Sequence, residues 1–300
     1  MTLFTTRNSV AELSSPTAVV CHDAGAANII QALMAARPSH DWRPAMFGPA
    51  ARSWHELGLA TPSFPDVESA LDGAAVLLSG TGWSSDVEHQ ARKLASAKGI
   101  PNVAVLDHWV NYKERFLRDG ELVLPDEIYV TDEYALSEAR KTFPSISIRQ
   151  HENLYIAKQL SELVRLKGKA EEVLYLLEPI RSDWPRHEAG EFEALKYFLE
   201  HWDRLMIPSD ATLRLRPHPS ESPNKYIEWL AYNPSQNRRI VIDENRSLAN
   251  AMAHARWVVG CETNAMVVAL YAGCKVISTL PPWAPRCRLP HLGIVHLRDI

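Results

Sequence analysis

The sequence predicts an α/β protein built from two Rossmann-like parallel-sheet domains that face a cleft. Short, apolar, β-branched runs alternate with helical runs along the chain, and this alternation is typical of parallel sheets covered by helices. A length of 300 residues exceeds what one hydrophobic core usually absorbs, so two domains are expected. We place them at residues 1–160 and 161–300, with the boundary in the linker-like stretch 152–172.

Composition excludes several classes of protein. The formal net charge is −4 and basic residues form no runs, which argues against nucleic acid as a partner. No apolar run approaches the ~20 residues that span a bilayer, and residues 1–15 lack a signal-peptide pattern. The four cysteines show no CxxC spacing, so reduced thiols are expected. We predict a cytoplasmic protein, and leave open its oligomeric state and a peripheral association with a membrane.

The first predicted strand, residues 17–20, ends in a turn of small and polar residues ahead of a helical run. Such a turn lets a ligand approach the backbone at a helix N-terminus, although a plain tight turn is the alternative. The chain contains neither GxGxxG nor GxxxxGK[ST], so dinucleotide and P-loop sites are disfavoured. The candidate cleft residues of this turn are His22, Asp23 and Gly25.

Two further strands are predicted at residues 46–48 and 74–78. The loop after the second of these contains glycines and hydroxyl groups, which suit an oxygen-rich ligand. Its candidate residues are Thr81, Trp83 and Ser84, although Trp83 is equally compatible with the core. Asp86 is expected to cap the helix at residues 87–98.

The buried strand 102–106 runs directly into a loop that mixes acid, imidazole, amide and cations. A purely structural loop rarely needs that mixture, so we predict a functional site here. The candidates are Asp107, His108, Asn111, Lys113 and Arg115. The alternative is that Asp107 caps a turn and Arg115 pairs with Glu114.

The second half repeats the alternation of strands and helices. Strands are predicted at residues 173–177, 213–216, 239–242, 257–260 and 275–278. Residues 191–205 are predicted to form one long helix whose aromatic stripe packs in the core.

Two polar turns of this half lie at the carboxyl ends of strands, where ligands bind in parallel sheets. Prolines on either side of His218 stiffen the first turn, which also contains Arg216. The second turn contains Glu262, Thr263 and Asn264 directly ahead of a helical run.

Two α/β halves with strand-end loops facing a shared cleft resemble the GT-B fold of glycosyltransferases and UDP-N-acetylglucosamine 2-epimerase. His218 and Pro219 are similar to the His-Pro pair of bacterial sialyltransferases, polysialyltransferases and Kdo transferases, which helps to bind the nucleotide phosphate of CMP-sugars. Thr263 and Asn264 lie where those families place hydroxyl residues near that phosphate. Asp107 ends a strand similar to the one that carries their acidic base, although His108 departs from their acidic motif.

The resemblance implies a glycosyltransferase of surface-glycan synthesis that works without metal or cofactor. Its partners would be a nucleotide-sugar donor and a hydroxyl-bearing glycan or small acceptor. Asp107 is the predicted base, with His108 as its rival, and Asp107 should face His218 across the cleft. A CMP-sugar is mildly favoured, because Val268 stands where many UDP-sugar enzymes have a ribose-binding glutamate. Glu262 is a candidate substitute for that glutamate from a different turn.

Two other functions are compatible with the same residues. A nucleotide-sugar epimerase or hydrolase would use this cleft without a separate acceptor. A non-catalytic subunit would bind the nucleotide or the sugar without turnover.

Overall fold

The structure is a computed structural model that describes residues 13–57, 61–82, 85–164, 172–179, 182, 184, 186–218, 221–222, 224–233, 238–245 and 247–300. The chain divides into two compact units, Met1–Tyr155 and Ile156–Ile300. Each unit contains a six-stranded parallel sheet, which confirms the predicted class of two parallel-sheet α/β domains. The cleft between them stays a prediction.

The N-terminal unit alternates strands and helices through most of its length. Its elements are β1 (Thr17–Cys21), α1 (Ala24–Ala35), β2 (Trp42–Met46), α2 (Gly48–Leu57), α3 (Val67–Leu71), β3 (Val76–Ser79), α4 (Val87–Ala97), β4 (Asn102–Val105), β5 (Leu117–Arg118), β6 (Glu121–Leu122), β7 (Glu127–Val130), α5 (Glu133–Thr142) and β8 (Ser147–Gln150), and α6 (Leu154–Glu162) begins at its end. The strand order is β2-β1-β3-β4-β7-β8, and β5 and β6 form a separate antiparallel hairpin.

The order of these strands creates a switch point between β1 and β3. The chain passes from β1 outward to β2 and then returns to place β3 on the other side of β1. The loops that follow β1 and β3 therefore leave the sheet in opposite directions, and ligands of such sheets bind in the crevice between them.

Both faces of this sheet are covered. Residues Thr17 to Cys21 of β1 are all buried. Val19 and Cys21 pack in one hydrophobic cluster, and Ala18 and Val20 pack in another. Alternate side chains of a strand point to opposite faces, so β1 anchors a core on each side and fixes the loop that follows it.

The C-terminal unit has the same alternation with another strand order. Its further elements are β9 (Glu172–Leu176), α7 (Gly190–Glu200), β10 (Thr212–Arg216), α8 (Asn224–Tyr232), β11 (Ile240–Ile242), α9 (Leu248–Met252), β12 (Ala255–Gly260), α10 (Asn264–Tyr271), β13 (Lys275–Ser278) and β14 (Ile294–His296). The order β11-β10-β9-β12-β13-β14 places the switch point between β9 and β12.

The predicted aromatic stripe lies in the core of this unit, but the predicted helix is too long. Leu195, Phe198 and Trp202 are fully buried. The helix α7 ends at Glu200 and a separate 3-10 turn, Trp202–Leu205, follows it. Met206 then adopts a left-handed conformation with φ of 50°, which a continuing helix does not allow.

Two local predictions in the N-terminal unit are wrong. The second strand ends at Met46, because Pro49 occupies the first turn of α2, a position that proline favours. Asp86 makes no capping hydrogen bond to α4; its carboxylate accepts from Arg118 at 3.1 Å instead.

Two further observations concern the cysteines and the apolar helices. All four cysteines are free. Within the part of the chain that the structure describes, no helix is long and apolar enough to cross a membrane.

We predict that His151 makes the fold sensitive to acid. Burial, helped by the charge of Arg149 and opposed by Glu127, lowers its pKa from 6.5 to about 4. The unfolded chain therefore binds a proton as the pH falls from 6.5 to 4 while the folded chain does not, so the free energy of unfolding decreases over this window. His151→Phe removes the group that titrates, so the decrease in the free energy of unfolding should be smaller in the variant by roughly 1–2 kcal/mol. The difference is limited to this size because solvent screens the partly exposed ring.

Urea unfolding of the wild type and the variant across this pH range measures the effect. His55→Phe, at an exposed position on α2, is the matched control. Identical pH slopes for the wild type and His151→Phe would contradict the prediction.

Candidate functional site

The loops after β3 and β4 and the first turn of α1 bring four of the predicted site residues of the N-terminal unit together. The Thr81 hydroxyl donates to the carbonyl of Val105 at 2.9 Å, which ties the two loops to each other. Arg115 Nη1 donates to Asp107 Oδ1 at 2.8 Å and to the Thr81 carbonyl at 3.3 Å. Gly25, the second residue of α1, joins them, since a Cβ there would lie 1.9 Å from Asp107 Oδ2.

Asp107 is therefore held from two sides. Its ion pair with Arg115 is largely buried, with side-chain exposures of 14% and 7%. Its other oxygen lies against Gly25 in the first turn of α1, where the helix dipole favours negative charge. Arg115 pairs with Asp107 rather than with Glu114, so the predicted turn-pairing alternative does not describe this arginine.

His22 and Asp23 form a second pair at the end of β1. His22 Nδ1 lies 2.8 Å from Asp23 Oδ1, and the two side chains are 22% and 27% exposed. The edge of the ring that carries Nε2 packs against Gly48, where an added Cβ would lie 2.5 Å away. The Asp23 carboxylate fixes the orientation of the imidazole. A histidine that an acid orients in this way is suited to proton transfer.

Glu88 also belongs to this site, although it was not among the candidate residues predicted from the sequence. It lies in the first turn of α4, is fully buried, and accepts a hydrogen bond from the His22 amide at 3.0 Å. Burial raises the pKa of Glu88 to about 7. In the sequence it looks like an ordinary acid at a helix N-terminus, and only the folded loops reveal the contact with His22.

The remaining N-terminal candidates lie around the β4 loop. His108 is partly exposed and its ring lies 5.5 Å from that of Trp109. Asn111 has a left-handed backbone with φ of 59°, and its carbonyl accepts from the Arg115 amide at 3.1 Å. Lys113 is exposed. Trp83 and Ser84 lie outside the described residues.

In the C-terminal unit, the switch point carries two buried acids and an arginine. Glu178 follows β9, and its Oε1 accepts from the Glu262 amide at 2.5 Å. The Glu262 carboxylate in turn binds Arg288, with Nη2 at 2.6 Å from Oε1 and the backbone amide at 3.1 Å from Oε2. Ribose hydroxyls would therefore compete with Arg288 for Glu262. Neither Glu178 nor Arg288 was predicted.

Thr263 and Asn264 stand at the start of α10. Thr263 is the N-cap residue and its side chain makes no capping hydrogen bond. Asn264 is the first helical residue. The first amides of a helix lack partners within it, and together with the dipole they suit an anion.

Arg216 is the last residue of β10, and His218 follows the strand. The Arg216 guanidinium binds the Asp243 carboxylate and the Asn245 carbonyl, the latter at 2.8 Å. Burial lowers the pKa of His218 below its usual value, against the opposing charge of Glu221. His218 therefore presents a neutral imidazole near pH 7. Pro219, the second half of the predicted His-Pro pair, lies outside the described residues.

Among the described residues, no group of three or more His, Cys, Asp or Glu side chains is arranged to hold a metal ion. The oriented acid and imidazole groups of the N-terminal unit are of the types that transfer protons, and the first amides of α10 in the C-terminal unit are of the type that binds anions. How the two sites lie relative to each other stays a prediction.

Comparison of the fold with solved structures identifies proteins of the GT-B type. The chain is similar to UDP-GlcNAc 2-epimerase from Methanocaldococcus jannaschii, solved with UDP-GlcNAc and UDP, with a TM-score of 0.56 and 13% identity over 87% of this chain and 83% of that one. It is similar to MurG from Acinetobacter baumannii, with a TM-score of 0.53 and 10% identity over 95% and 87% of the chains. It also resembles LpCGTa in complex with UDP, with a TM-score of 0.50 and 12% identity over 88% and 79%.

These likenesses show the fold alone, because all the identities are low. The neighbours include both glycosyltransferases and epimerases, so the fold is compatible with either activity. No protein-family profile matches the sequence, and no curated protein matches it.

We predict that Arg115 stabilises the N-terminal unit by neutralising Asp107. Arg115→Met leaves a buried carboxylate without its cation, which should lower the free energy of unfolding by about 3 kcal/mol. Combining it with Asp107→Asn should recover much of that loss, because the uncompensated charge is gone. Urea unfolding of the two variants measures both effects.

The matched control is Arg149→Met. Arg149 pairs with Glu127 at 2.8 Å but is 50% exposed, so its loss should cost less than about 1 kcal/mol. Equal losses for Arg115→Met and Arg149→Met would contradict the prediction.

Proposed function

We propose that this protein is a glycosyltransferase that moves a sugar from a nucleotide-activated donor to a hydroxyl acceptor, with the N-terminal unit on the acceptor side. The observation that carries the proposal is the cluster of oriented acid and imidazole groups at the β1/β3 switch point. Transfer to a hydroxyl needs a base for its proton. The fold supports the proposal, since solved neighbours bind UDP or UDP-GlcNAc.

Two side chains compete for the role of base. Asp107 is the candidate predicted from sequence, and the buried pair with Arg115 gives it a fixed position. His22 is a second candidate from the geometry, because Asp23 holds Nδ1 and the ring is partly exposed. His108 has a weaker case, since its contact in the structure is with an aromatic ring rather than with an orienting acid.

The C-terminal unit is proposed to hold the donor. The N-terminus of α10, with Thr263 and Asn264, suits the donor phosphates. His218 would contribute a neutral hydrogen-bond donor. Arg216 is oriented by Asp243, and Arg288 is oriented by Glu262, so both cations are held in defined positions near strand ends.

The proposal also specifies the donor and the biological setting. Position 268 on α10 is a valine, which cannot accept hydrogen bonds from ribose hydroxyls. This supports a CMP-sugar over a UDP-sugar. The setting that we propose is the synthesis of surface glycan.

The test of the function is release of nucleotide with and without acceptor. Release only with acceptor supports transfer, release without acceptor supports hydrolysis, and sugar interconversion without release supports epimerisation. Binding without any turnover would support a non-catalytic subunit. A thermal-shift screen against CMP, CDP, UDP, GDP and their sugars identifies the donor first, because a bound nucleotide raises stability.

We predict that the base can be identified by two variants that keep a polar side chain and remove the basic group. Asp107→Asn should lower turnover by roughly 10²–10⁴ with little loss of nucleotide affinity if Asp107 is the base. His22→Gln should produce that loss instead if His22 is the base. Turnover and nucleotide titration are measured on each purified variant, and near-normal turnover excludes the residue concerned.

We predict that His218→Ala weakens nucleotide binding. Losing one hydrogen bond to a phosphate should cost roughly 1–3 kcal/mol of affinity. Isothermal titration with the nucleotide found in the screen measures it. His187→Ala, at an exposed histidine of the same unit, is the control, and unchanged affinity in folded His218→Ala protein would refute the role.

A further inference from the structure

Glu88 and Asp23 approach each other from two different loops of the N-terminal unit. An added Cβ on Gly82 would lie 2.2 Å from Asp23 Oδ2 and 2.9 Å from Glu88 Oε2. The absence of a side chain on Gly82 thus lets two carboxylates meet beside one backbone atom. Glu88 is fully buried there, whereas Asp23 is 27% exposed and also binds His22.

The charges around this pair favour the retention of a proton. Burial is the largest cause that raises the pKa of Glu88 to about 7, and the charge of Asp23 adds to it. The amides of His22 and Gly82 and the charge of Arg92 act in the opposite direction. Two carboxylates that share a buried site do not both ionise readily, and one of them keeps its proton to a higher pH.

Groups on the neighbouring elements do not cancel this excess of negative charge. Arg115 is bound to Asp107, and Arg118 is bound to Asp86 and donates to the Gly82 carbonyl at 2.7 Å. The charge of Arg92 acts on Glu88 directly. Arg92 is itself buried and donates to Ser79 Oγ at 3.2 Å and to the Gly80 carbonyl at 3.0 Å. On β1, burial raises the pKa of the Cys21 thiol well above its usual value, so this thiol adds no charge.

We propose that Glu88 and Asp23 hold one proton between them near neutral pH, and that Glu88 is a positioning residue for His22. While the proton is present, the pair carries one negative charge, and Asp23 keeps its hydrogen bond to the imidazole. Loss of the proton places a second negative charge beneath His22 and changes the electrostatic field at its ring nitrogens. Glu88 also binds the His22 amide, so its charge state acts on both the backbone and the side chain of His22.

This arrangement gives the acceptor-side site a pH dependence that does not come from the acceptor. Its importance for catalysis rests on the proposed transferase function. The shared proton itself does not, because it is a property of the folded protein without donor or acceptor.

The test is NMR titration of protein labelled with ¹³C at glutamate carboxyls and ¹⁵N at histidine rings. We expect the Glu88 carboxyl, assigned by its absence in Glu88→Gln, to titrate with a midpoint near 7, and the His22 ring signals to show a step at the same pH. That step should be lost in Glu88→Gln and retained in Glu68→Gln, a control at an exposed acid on α3. Asp23→Asn should lower the Glu88 midpoint, because the like charge is removed.

A second measurement covers the case in which Glu88→Gln perturbs the fold. A raised carboxyl pKa contributes stability below pH 4.5 that is lost as the pH rises to about 7. The wild type should therefore lose stability over this window, and it should lose more than Asp23→Asn, in which the like charge that raises the Glu88 pKa is removed. A Glu88 midpoint in the ordinary range of a glutamate, or a His22 titration that is identical in the wild type and Glu88→Gln, would overturn the proposal.

The outcomes also separate this inference from the proposed function. Absence of turnover with the expected titration would reject the transferase and leave the shared proton intact. Turnover with an ordinary Glu88 titration would support the transferase and reject the shared proton.

Discussion

The close approach of carboxylates to glycine backbone is the constraint on which the N-terminal site depends. A Cβ on Gly25 would overlap Asp107, and a Cβ on Gly82 would overlap Asp23. Gly25 lies in the first turn of α1, shortly after β1, and Gly82 lies in the loop after β3. The missing side chains therefore open space at the carboxyl ends of parallel strands, where such sheets bind ligands. The acids fill that space and are held by Arg115, His22 and the backbone. The space beside the glycines therefore determines where these carboxylates lie, and the neighbouring charges hold them there.

Burying these charged groups costs free energy, and the two units offset this cost with different groups. In the N-terminal unit, Asp107 is neutralised by Arg115 while Glu88 retains a proton to about pH 7. In the C-terminal unit, Glu262 is neutralised by Arg288, and Asp243 by Arg216. An ion pair in a buried site is weak evidence for stability, because desolvation offsets most of the attraction. The attraction within each pair therefore mainly compensates for the burial of its own charges.

The sequence predicted the class of fold because its signals are local. Each half alternates apolar β-branched runs with helical runs, and β1 and β12 appear where this pattern indicates them. The errors occurred where a distant contact or a local stop overrides the pattern. The helical pattern in the sequence continues past Glu200, but in the structure α7 ends there and a 3-10 turn follows. Asp86 has the residue type and position of a cap, yet Arg118 from the β5/β6 hairpin binds it.

The candidate site could be located from the sequence only as a set of strand ends. Polar residues after β1, β3, β4, β10 and β12 were identified, because the carboxyl ends of parallel strands are where ligands bind. The pairing of these residues could not be foreseen, since it depends on which loops the strand order brings together. His22 and Glu88 are far apart in sequence, yet β1 and β3 are neighbours in the sheet and the His22 amide binds Glu88. Strand order is a property of tertiary packing, so an acid such as Glu88 gains its chemical character only when the sheet forms.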